Sequence, residues 1–271
     1  MSREYYYLVS SLPELIGHDE GSKHPYPVFF DFCREELDPV DLRRLNLCSL
    51  FNDIVNVCNY RDENDDYTSP SFYKREEFEE ALVDNDLFFP FIQEFLDDES
   101  NGARRYPKLV REDELLWRMF ERIEELDGGG EFIEGYFRFE LHNRNMGIAL
   151  SHRALSEEYS DLIITADFIS ERIAQSTSQD FGLGGEIGEF EPIFAMYGKA
   201  DPIEIEHRIE EIRWKWLDET VGYRVFSPEA VFTFGIKLKS VERWLELTPE
   251  RGRSMLDTLI RQAQTQSDSE V

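Results

Sequence analysis

The stretch Ile203–Glu219, IEIEHRIEEIRWKWLDE, decides how this chain is read. Ile205, Ile209, Ile212 and Trp216 recur at steps of three and four residues, which lines one side of an α-helix and leaves the charged residues between them for water. The start of that helix is equally legible. Asp201 stands before Pro202, so a capping oxygen precedes a residue with no N–H to leave unsatisfied. Glu204, three residues after Asp201, completes the pattern of a capping box. The same kind of start recurs at Asp38-Pro39, Ser227-Pro228 and Thr248-Pro249.

Outward from this segment, other stripes follow the same period. They run through Leu47, Leu50, Ile54 and Val57; through Leu116, Met119, Ile123 and Leu126; through Tyr159, Leu162, Ala166, Ile169 and Ile173; and through Phe234, Leu238, Val241 and Leu245. In the last stripe Leu238 is central and expected to be buried, whereas Glu242 lies off it and is expected to face solvent. No segment alternates apolar and polar residues between turn signals, so the expected class is all-α, a multi-helix bundle of amphipathic helical hairpins. The opening YYYLVSSL places Tyr5, Leu8, Val9 and Leu12 on one helical face, with Ser11 and Glu14 as a capping pair across Pro13. A short strand fits the same residues, and in either form the tyrosines read as core.

The Gly-rich stretch STSQDFGLGGEIGEFEP, 176–192, is the strongest boundary signal. It divides the chain into an N-terminal helical region, 1–176, and a C-terminal helical region, 190–263, packed on it. The tail 264–271 has little apolar content and is expected to fray.

Composition narrows the function classes. The 271 residues carry 57 acidic and 29 basic side chains, a formal charge of −28, with 41% hydrophobic and 14% aromatic residues. A core of useful size is available, but a phosphate-binding surface is not, because nucleic-acid binding rests on Lys and Arg. Docking on anionic lipid through bulk charge is excluded on the same ground. No run approaches the roughly 20 apolar residues of a membrane span, and Pro13 and Glu14 interrupt any signal-like start. Cys33, Cys48 and Cys58 are odd in number and form no CxxC pair, which fits a reducing cytoplasm without disulfides or structural zinc. Only seven basic residues are Lys, a balance compatible with a salt-tolerant source.

Motifs that carry chemistry are weak. Gly182, Gly184 and Gly188 give G-x-G-x-x-x-G, one residue off the dinucleotide spacing, after a helix and with no following lysine. DENDD (62–66) and LDDES (96–100) could chelate Mg²⁺ in an all-helical enzyme, yet both sit beside turn residues and read more simply as solvated loops. His18, His24, His142, His152 and His207 include no pair at the i, i+4 spacing of a helical metal site. LHNRN, Leu141–Asn145, is the densest polar cluster on a helix and reads as an active site or as a buried brace. No catalytic residue, metal ligand or cofactor is assigned.

A different signal lies in residues 206–247, which hold three of the four tryptophans and a local concentration of cations. Arg213, Trp214 and Lys215 fall off the Ile205–Trp216 stripe, and Lys237 and Arg243 lie on the next helix. These five residues form a candidate partner-binding surface, since Trp and Arg carry much of the energy at interfaces. Pairing of the cations with Glu210, Glu211 and Asp218 within the helix is the alternative. If the surface reading holds, reversing the charge of Arg213 and Lys215 leaves the melting temperature nearly unchanged.

The segments IEIEHRIEEIRWKWLDE and FSPEAVFTFGIKLKSVERWLELTPERG resemble the C-terminal half of bacterial proteins encoded alongside V-type (A/V-type) ATPase subunits. YYYLVSSLPEL and FELHNRNMGIALSHR are similar to that family's N-terminal and central signatures. The family, long described as of unknown function, itself resembles the central-stalk subunit called C in prokaryotes and d in eukaryotes. The resemblance implies an all-helical, non-catalytic component, a socket-like stalk subunit or accessory factor, between the soluble motor and the membrane ring. Its implied partners are rotor and membrane-ring subunits, with no nucleic acid and no direct membrane insertion, so that the chain is cytoplasmic and peripheral to the membrane through protein contacts. A Mg-dependent enzyme and a free-standing acidic adaptor are the competing classes.

Overall fold

The computed structural model describes residues 4–15, 17, 25–127 and 130–246. In chain order the α-helices are α1 (Tyr6–Ser11), α2 (Tyr26–Glu36), α3 (Pro39–Leu47), α4 (Leu50–Arg61), α5 (Arg75–Val83), α6 (Pro90–Ser100) and α7 (Arg111–Glu121). They continue with α8 (Ile123–Asp127), α9 (Glu131–Leu155), α10 (Phe168–Gln175), α11 (Glu191–Phe194), α12 (Pro202–Val221) and α13 (Pro228–Glu246). Short 3₁₀ turns supplement them, and there is no strand among the described residues. The protein is all-α.

The chain divides into two compact units, one of Met1–Leu37 with Arg224–Val271 and one of Asp38–Tyr223. The expected division at 176–190 is therefore replaced. Residues 177–194 are part of the larger unit, where Phe181, Leu183, Ile187, Phe190 and Ile193 are buried with Phe139, Met146, Ile205, Ile209 and Ile212. Arg153 of α9 fastens this stretch. Its guanidinium lies 4.1 Å from the Phe181 ring centroid and donates to the Ser176 and Ser178 carbonyls at 2.5 and 2.7 Å. Gly182, at φ +69°, turns the chain through a region that L side chains rarely adopt. The expected tail 264–271, the region 247–263 and the Thr248-Pro249 start lie outside the described residues.

In the smaller unit α2 packs its buried Tyr26, Phe29 and Cys33 toward α13, with Phe29 and Phe234 ring centroids 5.1 Å apart. The first turn of α2 carries no acid of its own. Glu242 supplies one, accepting a hydrogen bond from the Tyr26 N–H at 2.6 Å, where the positive end of the helix dipole favours an anion. The expectation of a merely solvated Glu242 is thus corrected, while Leu238 is fully buried as expected. α1 ends where Leu12 turns extended ahead of Pro13. Ser11 donates to the Leu8 carbonyl at 2.7 Å and is the last residue of α1, so the Ser11–Glu14 capping pair does not form. Of the opening tyrosines Tyr5 is buried, but Tyr6 and Tyr7 are exposed, which corrects their reading as core.

In the larger unit two of the legible helix starts carry the expected side-chain cap, although the capping box read at Asp201 and Glu204 does not form. Asp38 accepts from the Val40 and Asp41 N–H groups, and Asp201 from that of Ile203. In the smaller unit the buried Ser227 hydroxyl makes no hydrogen bond and so does not cap α13. The stripe Tyr159–Ile173 is not one helix: a 3₁₀ turn at Ser160–Leu162 leads to an extended stretch before α10. Asn145 of α9 explains the break, because its side chain donates to the Ile164 carbonyl at 2.9 Å and accepts from the Ile164 N–H at 3.2 Å. Asp167 then caps α10 by accepting from Ser170 N–H. The polar stretch 59–71 is held in a comparable way. Asn52, Asn56 and Asn59 of α4 each donate to its backbone carbonyls, and buried Asp53 accepts from the Phe72 and Tyr73 N–H groups.

Candidate functional site: the ion-paired helix frame

The residues singled out for partner binding divide between the units: Arg213, Trp214 and Lys215 belong to the larger, Lys237 and Arg243 to the smaller. Arg213 is not on an outward flank. It reaches from α12 to α9, where its Nε and Nη2 meet Glu140 Oε1 and Oε2 at 2.5 and 2.9 Å, and its Nη1 meets Glu210 Oε2 at 2.5 Å. The Arg213 and Glu140 side chains are only 15% and 16% exposed, and Glu210 is fully buried. Burial opposes the charge on Arg213, but the attraction and hydrogen bonds of Glu140, then Glu210, hold its pKa above the ordinary guanidinium value. The planar fork of Arg matches a carboxylate on two atoms at once, which fixes the angle between donor and acceptor as well as their distance. This arginine is a brace between two helices, and its assignment to a binding surface is corrected.

The other four residues are placed differently. Lys215 is exposed, 3.7 Å from Glu219 one turn on. Trp214 and Lys237 are half-buried, and Arg243 is exposed with its guanidinium 5.4 Å from the Trp244 ring centroid. Trp216, expected in the α12 stripe, packs its ring 5.0 Å from that of Phe139 and lies against Gly135 of α9, where a side chain is absent.

The two acidic stretches meet, but arginines occupy them. Glu99 accepts from Arg61 at 2.6 Å and also from Arg111, and Arg111 bridges on to Asp62. Burial raises the Glu99 pKa, yet the hydrogen bonds from Arg111 and Arg61 outweigh it and hold the carboxyl below its usual range. Next to them, Asp98 and the fully buried Glu114 pair with the buried Arg118 at 2.8 and 2.6 Å, and Arg104 meets Glu114 at 2.9 Å. Carboxylates neutralised in this way serve as internal partners for guanidinium groups instead of a cation cage. No group of three or more His, Cys, Asp or Glu among the described residues is arranged to hold a metal ion.

LHNRN is used as a brace. Asn145 is bonded to Ile164 as described and donates to the Ser170 hydroxyl at 3.1 Å, while Arg144 grips Asp113 of α7 at 2.6 Å. His142 Nε2 lies 2.8 Å from Asp167 Oδ2, with Arg138 at 3.4 Å on the same oxygen. Burial opposes ionisation of Asp167, but His142 and the Ser170 N–H hold its carboxyl well below the usual carboxylate range. His18 and His24 lie outside the described residues. Glu140 and Arg153 escaped the sequence reading because their partners are remote in the chain; Glu140 alone offered a hint, as an acid flanked by apolar Phe139 and Leu141.

The fold and this frame define an all-helical protein whose polar interior consists of arginine–carboxylate and amide braces. The chain belongs to the family described as protein of unknown function (DUF2764), whose model matches residues 1–267. No curated protein and no solved structure matches it. No helix among the described residues is long and apolar enough to cross a membrane.

Proposed function

We propose that this chain is a non-catalytic component of a rotary V-type (A/V-type) ATPase, a socket-like central-stalk subunit or accessory factor coupling the soluble motor to the membrane ring. The observation that carries the reading is where the resembling segments fall. FELHNRNMGIALSHR lies within α9, IEIEHRIEEIRWKWLDE lies within α12, and the described part of FSPEAVFTFGIKLKSVERWLELTPERG runs into α13; these are the three longest helices among the described residues, at 25, 20 and 19 residues. An element that passes force between a motor and a ring needs stiff members held at fixed angles. The bidentate Arg213–Glu140 pair between α9 and α12 supplies that stiffness within the larger unit. The engagement of Glu99, Asp62 and Asp98 by arginines speaks against the competing Mg-dependent enzyme.

On this reading the chain works in the cytoplasm and reaches the membrane through protein contacts, with Lys215 and Arg243 among the exposed cations on the resembling helices. The test is affinity purification of the tagged protein from its native organism, with quantitative mass spectrometry of what co-elutes. Rotor and membrane-ring subunits at near-stoichiometric levels are expected. Recovery without them, or with an unrelated set of partners, overturns the proposal in favour of a free-standing adaptor.

A further inference from the structure

The two outer tyrosines of the opening segment belong to an exposed strip in the smaller unit. Tyr7 is 68% exposed and Tyr6 54%, and each rests on a second ring instead of entering the core. The Tyr6 ring centroid is 4.5 Å from that of Phe226, and the Tyr7 centroid is 5.9 Å from that of Phe32. Val28, one turn before Phe32 on α2, is 51% exposed, and Val225, beside Phe226, is 50% exposed. The strip therefore joins the outer face of α2, α1 and the chain ahead of α13. Scattered exposed apolar residues are ordinary, but contiguous ones mark interaction surfaces.

The charges around the strip have one sign in excess. On α2 Val28, Asp31, Phe32 and Glu35 follow steps of three, one and three, all exposed but the half-buried Phe32, so acids alternate with apolar side chains along one face. Asp31 is 64% exposed and paired with Arg34, while Glu4 accepts the hydrogen bond of the Tyr6 hydroxyl. The whole chain carries −28, so a second copy and an anionic lipid surface are both repelled. Tyrosine faces attract cations through the ring quadrupole, and neighbouring carboxylates add Coulomb attraction in the same direction.

We infer that the strip formed by Tyr6, Tyr7, Val28, Phe32, Val225 and Phe226, with Asp31 and Glu35 beside it, is a docking surface for an amphipathic helix of a protein partner that carries Lys or Arg along its apolar edge. The apolar side chains of that helix cover Val28 and Phe32, and its cations lie over Tyr7 and against Asp31 and Glu35. The inference does not depend on the ATPase reading, since any partner of this chemistry fits.

The test uses the full chain and a fluorescent 18-residue amphipathic peptide of Leu and Arg, beside the same peptide with Glu for Arg. A basic peptide is drawn to any acidic protein, so the decisive measurement compares variants. Tyr7→Ser with Val28→Ser is expected to weaken binding about tenfold, and Asp31→Asn with Glu35→Gln severalfold at low salt, as for an anchor and its flanking charges. Val83→Ser, which alters an even more exposed valine in the other unit, is expected to change nothing. Circular dichroism melts confirm that all variants fold. Undiminished binding by the Tyr7/Val28 variant, equal affinity for the Glu peptide, or no binding by the wild type overturns the inference. So does binding to phosphatidylserine vesicles or concentration-dependent self-association that Tyr7→Ser with Val28→Ser abolishes, since either assigns the strip to a different occupant.

Discussion

At the scale of single residues, the frame depends on charges that are paired away from water. Removing Arg213 leaves Glu140 and the fully buried Glu210 without their shared cation. Breaking such a pair costs about 3–5 kcal/mol, so Arg213→Met is expected to shift the urea midpoint strongly. Lys215→Glu, on an exposed site, is expected to change stability by less than about 1 kcal/mol. This reverses the expectation drawn from the helical wheel, on which both positions tolerate charge reversal. Asp167 gives a pH-dependent counterpart. Its pKa is depressed in the folded protein by His142 and Ser170, so its contribution is full above the unfolded carboxylate value of about 4 and is lost as pH falls below it. The Tm difference between wild type and Asp167→Asn is therefore expected to be largest near neutrality and to shrink below about pH 4. A difference that grows on acidification contradicts the assignment. The exposed placement of Lys215 was legible in the sequence. Whether an acid 73 residues away stands ready to bury Arg213 was not, because local pattern carries no record of remote partners.

At the scale of elements, the apolar period marked α12 and α13 well, since both are long and begin at a proline. It misled at Tyr159–Ile173, where the apolar spacing is helical but Asn145 and Asp167 satisfy backbone groups that a helix would otherwise pair internally. It was passed over at 177–194, where buried Leu183, Ile187, Phe190 and Ile193 recur at steps of four and three but stand among glycines that read as a loop. Polar side chains that replace backbone ladders leave no repeating signal. Within the smaller unit, α13 provides a direct test of how its faces are used. Leu238→Asp places a charge at a fully buried position and is expected to cost several kcal/mol. Glu242→Ala removes the anion at the start of α2 and is expected to cost about 1 kcal/mol, far less than Leu238→Asp but measurably more than an exposed substitution. Thermal melts of the two variants that match wild type would refute the placement of both faces.

At the scale of the whole molecule, the excess of 57 acids over 29 bases is the dominant long-range force. Many arginines are already committed to internal pairs, so the surplus negative charge repels itself across the surface. Salt shortens the reach of this repulsion from about 14 Å at 0.05 M to about 4 Å at 0.5 M, whereas buried pairs are screened much less. The melting temperature is expected to rise as NaCl is raised across that range, and a flat or falling profile would show that surface ion pairs outweigh the repulsion. The all-α class was accessible from pattern because helices declare themselves over a few turns. The division into units was not, because it joins segments that are nearly two hundred residues apart in the chain.

That joining has a consequence for how the protein is made. A ribosome delivers α1 and α2 first, then the whole of Asp38–Tyr223, and only afterwards α13, which packs on α2 and carries Glu242 to its first turn. The continuous unit can fold as it emerges, since domains generally do so in order of synthesis. The helices ahead of that unit meanwhile wait with Phe29 and Tyr26 uncovered until α13 has emerged. In the cell the early segment is thus a client for any chaperone stationed at the exit tunnel, and a stalled translation product that ends before α13 exposes just the aromatic surface that the finished protein conceals.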